Sequence, residues 1–138
     1  VIPAATVTAW STADAGSSAP VGREALDYGF YRDQVEPIFV NKREGLARCV
    51  VCHATRTRFR LQAPPPEGAT WNAEQSRRNF ETARLMVVPG NPLASRLLQL
   101  PLAEAAGGNS FHPGGKHWTS QTDPEWQTIA SWVRGSRN

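Results

Sequence analysis

The sequence is short of most residue types that bind metals or cross-link chains. Among 138 residues there are two cysteines, three histidines and one methionine. Two cysteines cannot build the multi-bridge framework of a small secreted domain. No apolar run approaches the roughly 20 residues that span a bilayer, so the chain is not expected to cross a membrane. A heptad seam, a collagen period and internal repeats are missing, which excludes coiled coils and solenoids. Neither sign of charge dominates: 15 basic against 12 acidic residues leave +3. That is too little, with no long basic run, to argue for nucleic acid. A mildly basic surface suits docking with an acidic partner instead.

Glycine and proline are plentiful, 11 of each, which predicts long irregular loops. The length is that of one domain with room for a core. Residues 1–26 read as an arm or linker, small and polar apart from Trp10; such an arm can tether the chain to a partner or a further domain. Residues 27–138 form the domain. Val1 in place of Met suggests a processed chain, and residues 1–20 lack the basic start and apolar middle of a signal peptide.

The domain is expected to be mostly helical, since strand patterns are scarce. Phe30, Val35, Ile38 and Phe39 mark a helix over 28–40, kinked or split by Pro37. Asn72 with Gln75 fits a capping box for a helix over 73–85, on which Phe80, Ala83 and Val87 share a face. Asn91 and Pro92 start a short helix carrying Leu93, Leu97, Leu98 and Leu100. Residues 101–121 read as a long loop. Asp123 then caps a last helix with Pro124 at its first position and Gly135 at its end; Trp126, Ile129, Ala130 and Val133 follow helical spacing.

Both cysteines fall in Cys49-Val50-Val51-Cys52-His53, the C-x-x-C-H signature of c-type haem attachment. Two thiols at this spacing reach the two vinyl groups on one edge of a porphyrin, and the adjacent histidine turns under the iron as proximal ligand. The small Val50 and Val51 fit between ring and protein. Rival readings are a redox dithiol, which normally precedes a helix in a βαβ unit not visible here, a zinc site joining the cysteines to His112 and His117 across an unusually long gap, and a plain disulfide.

The opposite side of the iron has three candidate ligands. His112 precedes Pro113 and the pair Gly114-Gly115, which lets backbone pass close to a porphyrin, and Phe111 can cover the ring. His117 lies beside Trp118. Met86 sits in an apolar run at a helix end and reads more readily as core. His112 is the preferred ligand, with His117 and Met86 as alternatives.

With these residues in view, the stretch from Tyr31 to His53, with Val35-Glu36-Pro37-Ile38 ahead of the cysteine motif, resembles the planctomycete-type monohaem cytochrome c domains, relatives of class I cytochromes c. Val88–Pro92 with Ser95–Leu98, Asp123–Trp126 with Ile129 and Trp132, and His112–Gly115 extend the resemblance to residues 28–135. The resemblance implies a class I cytochrome c-like helical fold, with N- and C-terminal helices crossing beside one covalent haem c, and one-electron transfer. It places His112 where other members carry a methionine ligand. The chain departs from the pattern at Asn41–Arg48 and in the arginine-rich segment after His53.

In that segment Arg56, Arg58 and Arg60 alternate with Thr57 and Phe59, so an extended backbone would put the arginines on one side and Phe59 on the other. They could pair with a haem propionate, dock an acidic partner, or form a solvated edge. Thirteen arginines against two lysines favour bidentate contacts. Trp126 and Trp132 are expected to pack the last helix, and Trp71 and Trp118 to approach the haem region.

The expected function is a non-enzymatic electron carrier with haem c held by Cys49 and Cys52 and ligated by His53 and His112. It would act with a redox partner protein, as a free carrier or a subunit of a larger redox complex. The alternatives are a peroxidase-like haem enzyme or gas sensor with an open distal site, and a Cys/His zinc domain. Because haem is attached to C-x-x-C-H outside the cytoplasm, a periplasmic or extracellular location is expected, with the signal peptide removed.

Overall fold

The computed structural model describes residues 26–55, 57–66, 68–109, 112 and 115–135. The expected arm before residue 26, with Trp10, lies outside them, as do Arg56, Phe111, Pro113 and Gly114. Among the described residues the protein is mostly helical and has no strand, only two isolated bridges. No helix among them is long and apolar enough to cross a membrane.

The stretch 28–40 is helical throughout but changes width. It comprises α1 (Tyr28–Phe30), a π-helical turn (Tyr31–Val35) and α2 (Glu36–Val40). A proline inside a regular helix loses one bond and drives its ring against the carbonyl a turn earlier. Here the ladder widens just ahead of Pro37: the Glu36 N–H bonds the Tyr31 carbonyl, five residues back. The expected kink or split is therefore a π turn. The shift in register turns Tyr31, Val35, Glu36, Ile38 and Phe39 inward together, so a carboxyl is buried along with the apolar face.

Glu36 is held by Tyr31 Oη, which donates to Oε2 at 3.2 Å, and by Asn79 Nδ2 at 3.4 Å. Burial nevertheless raises its carboxyl above the ordinary value of 4.5, outweighing the bonds from Ser76, Asn79 and Tyr31. A raised folded-state value means that the folded protein binds more protons than the unfolded chain, so the carboxylate costs stability as pH rises through and above about 4.5. Glu36→Gln keeps an acceptor for Tyr31 and Asn79 without the charge. It should stabilise the protein by roughly 1 kcal/mol at neutral pH, a few degrees in Tm, and the gain should vanish below pH 4. Thermal melts of both proteins at pH 3.5 and 7.5 check this; an equal or lower Tm for the variant at pH 7.5 contradicts it.

The cysteine motif forms α3 (Cys49–His53), and α4 (Ala73–Arg84) opens on the expected reciprocal capping box of Asn72 and Gln75. The anticipated single helix after Asn91 is two. A 3-10 turn (Pro92–Ala94) stops at Ser95, and α5 (Arg96–Gln99) begins after it. Ser95 divides them because its hydroxyl is engaged elsewhere, accepting from the Val88 N–H and donating to the Asn91 carbonyl, both at 2.9 Å. Leu93, on the first turn, is 55% exposed, whereas Leu97 and Leu98 are buried.

The last helix, α6 (Pro124–Arg134), matches expectation: Asp123 accepts from the Glu125 N–H, Gly135 ends it at φ 107°, and Trp126, Ile129, Ala130, Trp132 and Val133 are buried. Residues 28–40, α4 and α6 converge on three rings, with centroids 5.3 Å apart for Tyr31–Phe80, 5.4 Å for Tyr31–Trp132 and 6.1 Å for Phe80–Trp132. From this centre an aromatic line runs outward. Phe39 meets Phe59 edge-on at 5.4 Å, and Phe59 meets the His53 ring at 5.0 Å. The core thus ends under the cysteine motif.

Candidate haem-attachment site

One turn of α3 puts Cys49, Cys52 and His53 along one edge of the helix, at positions i, i+3 and i+4. Val50 is completely buried and anchors that turn to the core. Val51, expected with Val50 between ring and protein, is 53% exposed, since it follows on the side away from the cysteines. Both cysteines are free thiols, Cys49 half-buried and Cys52 exposed. Burial, with the Glu125 charge adding to it, pushes the Cys49 thiol up to about 12. A redox dithiol needs a thiol shifted the other way.

His53 is held at Nδ1 and against the core. Its ring lies 5.0 Å from that of Phe59, tilted by 54°, while Nδ1 lies 2.9 Å from the Phe59 carbonyl and 2.7 Å from Thr57 Oγ1. A carbonyl only accepts, so Nδ1 carries the proton and Nε2 the lone pair. Burial first, then the neighbouring His112, hold the imidazole below its ordinary value and therefore neutral, as a ligand must be. Phe59 is buried and Arg58 and Arg60 are exposed, as their alternation predicts.

His112 reaches the same place from a distant segment. Its Nδ1 lies 2.7 Å from the Gly115 carbonyl, and the Gly115 N–H returns to the His112 carbonyl at 3.0 Å. This turn requires Gly115 at φ 93°, which disfavours any side chain; a Cβ there would meet no protein atom. The segment after it is laced to residues 99–103. The N–H groups of His117 and Trp118 both donate to the Pro101 carbonyl, the Trp118 carbonyl accepts from Ala103, and Lys116 Nζ donates to the carbonyls of Leu100 and Asn109. Gly108 permits the lacing, because a Cβ at that position would run into the Leu102 carbonyl. The expected loose loop is thus a stitched one.

The His53 and His112 rings stand with centroids 6.3 Å apart and planes 24° from parallel. That is the long end of the range for a stacked ring pair. It is about the separation of two imidazoles bonded to opposite sides of one metal ion, given bonds of about 2.0–2.1 Å. Each ring donates its Nδ1–H to a backbone carbonyl, the usual outer partner of a ligating histidine. Two histidines placed in this way would suit a metal that a porphyrin brings with its own donors. Among the described residues there is no group of three or more His, Cys, Asp or Glu that could hold a metal ion.

The other two candidates are engaged elsewhere. His117, its side chain 8% exposed, places Nε2 3.1 Å from Glu125 Oε1. Met86 packs against the core at the end of α4. Glu125 is a residue the sequence does not announce. It accepts from Asn41 Nδ2 and Arg43 Nη1, both at 2.9 Å, and from Trp118 Nε1 at 3.1 Å. Burial opposes its ionisation, but the bonds from Asn41, Trp118 and Arg43 hold its carboxyl below the usual range. Arg43 also bonds Asp123 at 2.9 Å, pinning the segment that leads into Cys49 against the start of α6. Trp118 therefore belongs to this polar knot, and Trp71 donates to the Ala63 carbonyl at 2.7 Å. A cleft of about 450 Å3 lined by Pro37, Arg48, Thr70 and Glu125 lies outside the gap between the two histidines, which do not line it.

Comparison with protein-family models, with curated proteins and with solved structures gave no match to this chain.

Proposed function

We propose that the protein is a one-electron carrier of the class I cytochrome c type, with one haem c bonded to Cys49 and Cys52 and ligated by His53 and His112. The observation that carries this reading is the 6.3 Å separation of the two rings, each with Nδ1 committed to a backbone carbonyl. When bound, the haem supplies a one-electron iron couple. The chain supplies the rest. Cys49 and Cys52 offer thiols a helical turn apart for thioether links, His53 is braced by Phe59, and His112 is presented by a stitched loop. With His53 and His112 both holding the iron, no position would be left for a substrate, which favours carriage over a peroxidase or gas sensor.

Similarity to planctomycete-type cytochrome c in the motif and its flanks supports the same reading, and so does the packing of residues 28–40 against α6 through Tyr31 and Trp132. Exposed Arg58 and Arg60 beside the His53 loop suit docking of an acidic redox partner. Covalent attachment implies maturation in the periplasm or cell exterior.

Expression with a c-type maturation system should yield a red protein whose mass exceeds the polypeptide by one haem after denaturation. The double variant Cys49→Ala/Cys52→Ala should lose all covalently retained haem. A colourless wild-type protein at bare-polypeptide mass, or one carrying stoichiometric zinc, overturns the proposal.

A further inference from the structure

Among the described residues, Thr57 and the Phe59 carbonyl lie within hydrogen-bonding distance of His53 Nδ1, and of the two Thr57 is the side chain. Thr57 Oγ1 lies 2.7 Å from Nδ1 and 2.7 Å from the Phe59 carbonyl, which itself lies 2.9 Å from Nδ1. The protons in this triangle are determined by chemistry. The carbonyl only accepts, and the hydroxyl has a single proton, which it donates to the carbonyl. Thr57 Oγ1 therefore accepts from Nδ1–H, and the Nδ1 proton is shared between hydroxyl and carbonyl.

From this geometry we propose that Thr57 is a positioning residue that sets the electron-donating strength of His53, and through it lowers the reduction potential of the site. The inference rests on the haem reading above. A hydroxyl that donates to a carbonyl is polarised into a better acceptor. A ring N–H drawn toward acceptors makes the opposite nitrogen a stronger donor to the metal. A stronger donor favours the oxidised iron, so the potential falls. The hydroxyl lies 2.7 Å and the carbonyl 2.9 Å from Nδ1, so both draw on the proton. The carbonyl is present whatever residue stands at position 57. The second acceptor is therefore the part of the arrangement that the side chain controls.

The test is the reduction potential of the haem-loaded full chain as wild type, Thr57→Val and Thr57→Ser. Valine keeps the branched shape and removes the hydroxyl; serine keeps the hydroxyl. The expected result is a higher potential for T57V, a wild-type value for T57S, and a low-spin spectrum in all three. An unchanged or lower potential in loaded T57V, or a shift in T57S equal to that of T57V, overturns the inference and leaves the haem reading standing. A wild type that carries no haem overturns both. Should T57V fail to load, proton NMR of the reduced wild type decides. The His53 Nδ1–H resonance should show a nuclear Overhauser contact to the Thr57 side chain, and absence of that contact overturns the inference.

Discussion

Replacing His112 with alanine should leave the protein coloured and open its iron to carbon monoxide. On the haem reading proposed above, Cys49 and Cys52 would keep the haem attached, whereas the sixth ligand would be lost. A histidine occupying that position about 99% of the time lowers apparent affinity for an external ligand about 100-fold. H112A should recover that factor, with a change from low-spin to high-spin absorption. His117→Ala and Met86→Leu should remain low-spin, because His117 is spent on Glu125 and Met86 on packing. Carbon monoxide titration of the reduced proteins checks all three. A low-spin, ligand-resistant H112A beside a high-spin H117A would move the distal role to His117.

The second large effect concerns the fold. Trp132 is completely buried, meets Tyr31 and Phe80, and donates Nε1–H to the Asp27 carbonyl at 3.2 Å. Trp132→Ala removes the largest of the three central rings, for a cost of about 3–5 kcal/mol. In a domain of this size that lowers Tm by more than about 10 °C. Trp132→Phe keeps a ring but leaves the Asp27 carbonyl one donor short, and should cost about 1–2 kcal/mol. Denaturant titration of the three proteins gives the ordering. A W132A variant within about 1 kcal/mol of wild type would show that helices 28–40 and α6 are held chiefly by other contacts.

Much of this was legible in the sequence, and what was not has a common cause. The last helix could be read because Asp123, Pro124 and Gly135 act locally on their own backbone. The capping box at Asn72 is local in the same sense. The motif spacing singled out Cys49, Cys52 and His53, and the glycines that follow His112 singled out that residue; the structure brings the two histidine rings to 6.3 Å. The π turn before Pro37 was not legible: a proline permits a break, a kink or a widened turn, and tertiary packing selects among them. The division at Ser95 depends on where one hydroxyl finds partners. The groups that orient both histidines are the carbonyls of Phe59 and Gly115, which belong to backbone and carry no residue-type signal. Glu125 is an acid in the first turn of α6, where a negative charge suits the helix dipole, and only the fold brings Asn41, Arg43, His117 and Trp118 to it.

The lacing of residues 116–118 onto 99–103 would separate two lifetimes. With haem bound as proposed, the near ligand would sit on a covalently tethered turn against the core, and the far ligand on a flap that can open while the helices stay packed. Below the denaturant range in which the whole domain melts, transient exchange at the iron would then report the opening of that flap alone. The colour of the protein becomes a gauge of local breathing that is blind to the rest of the chain.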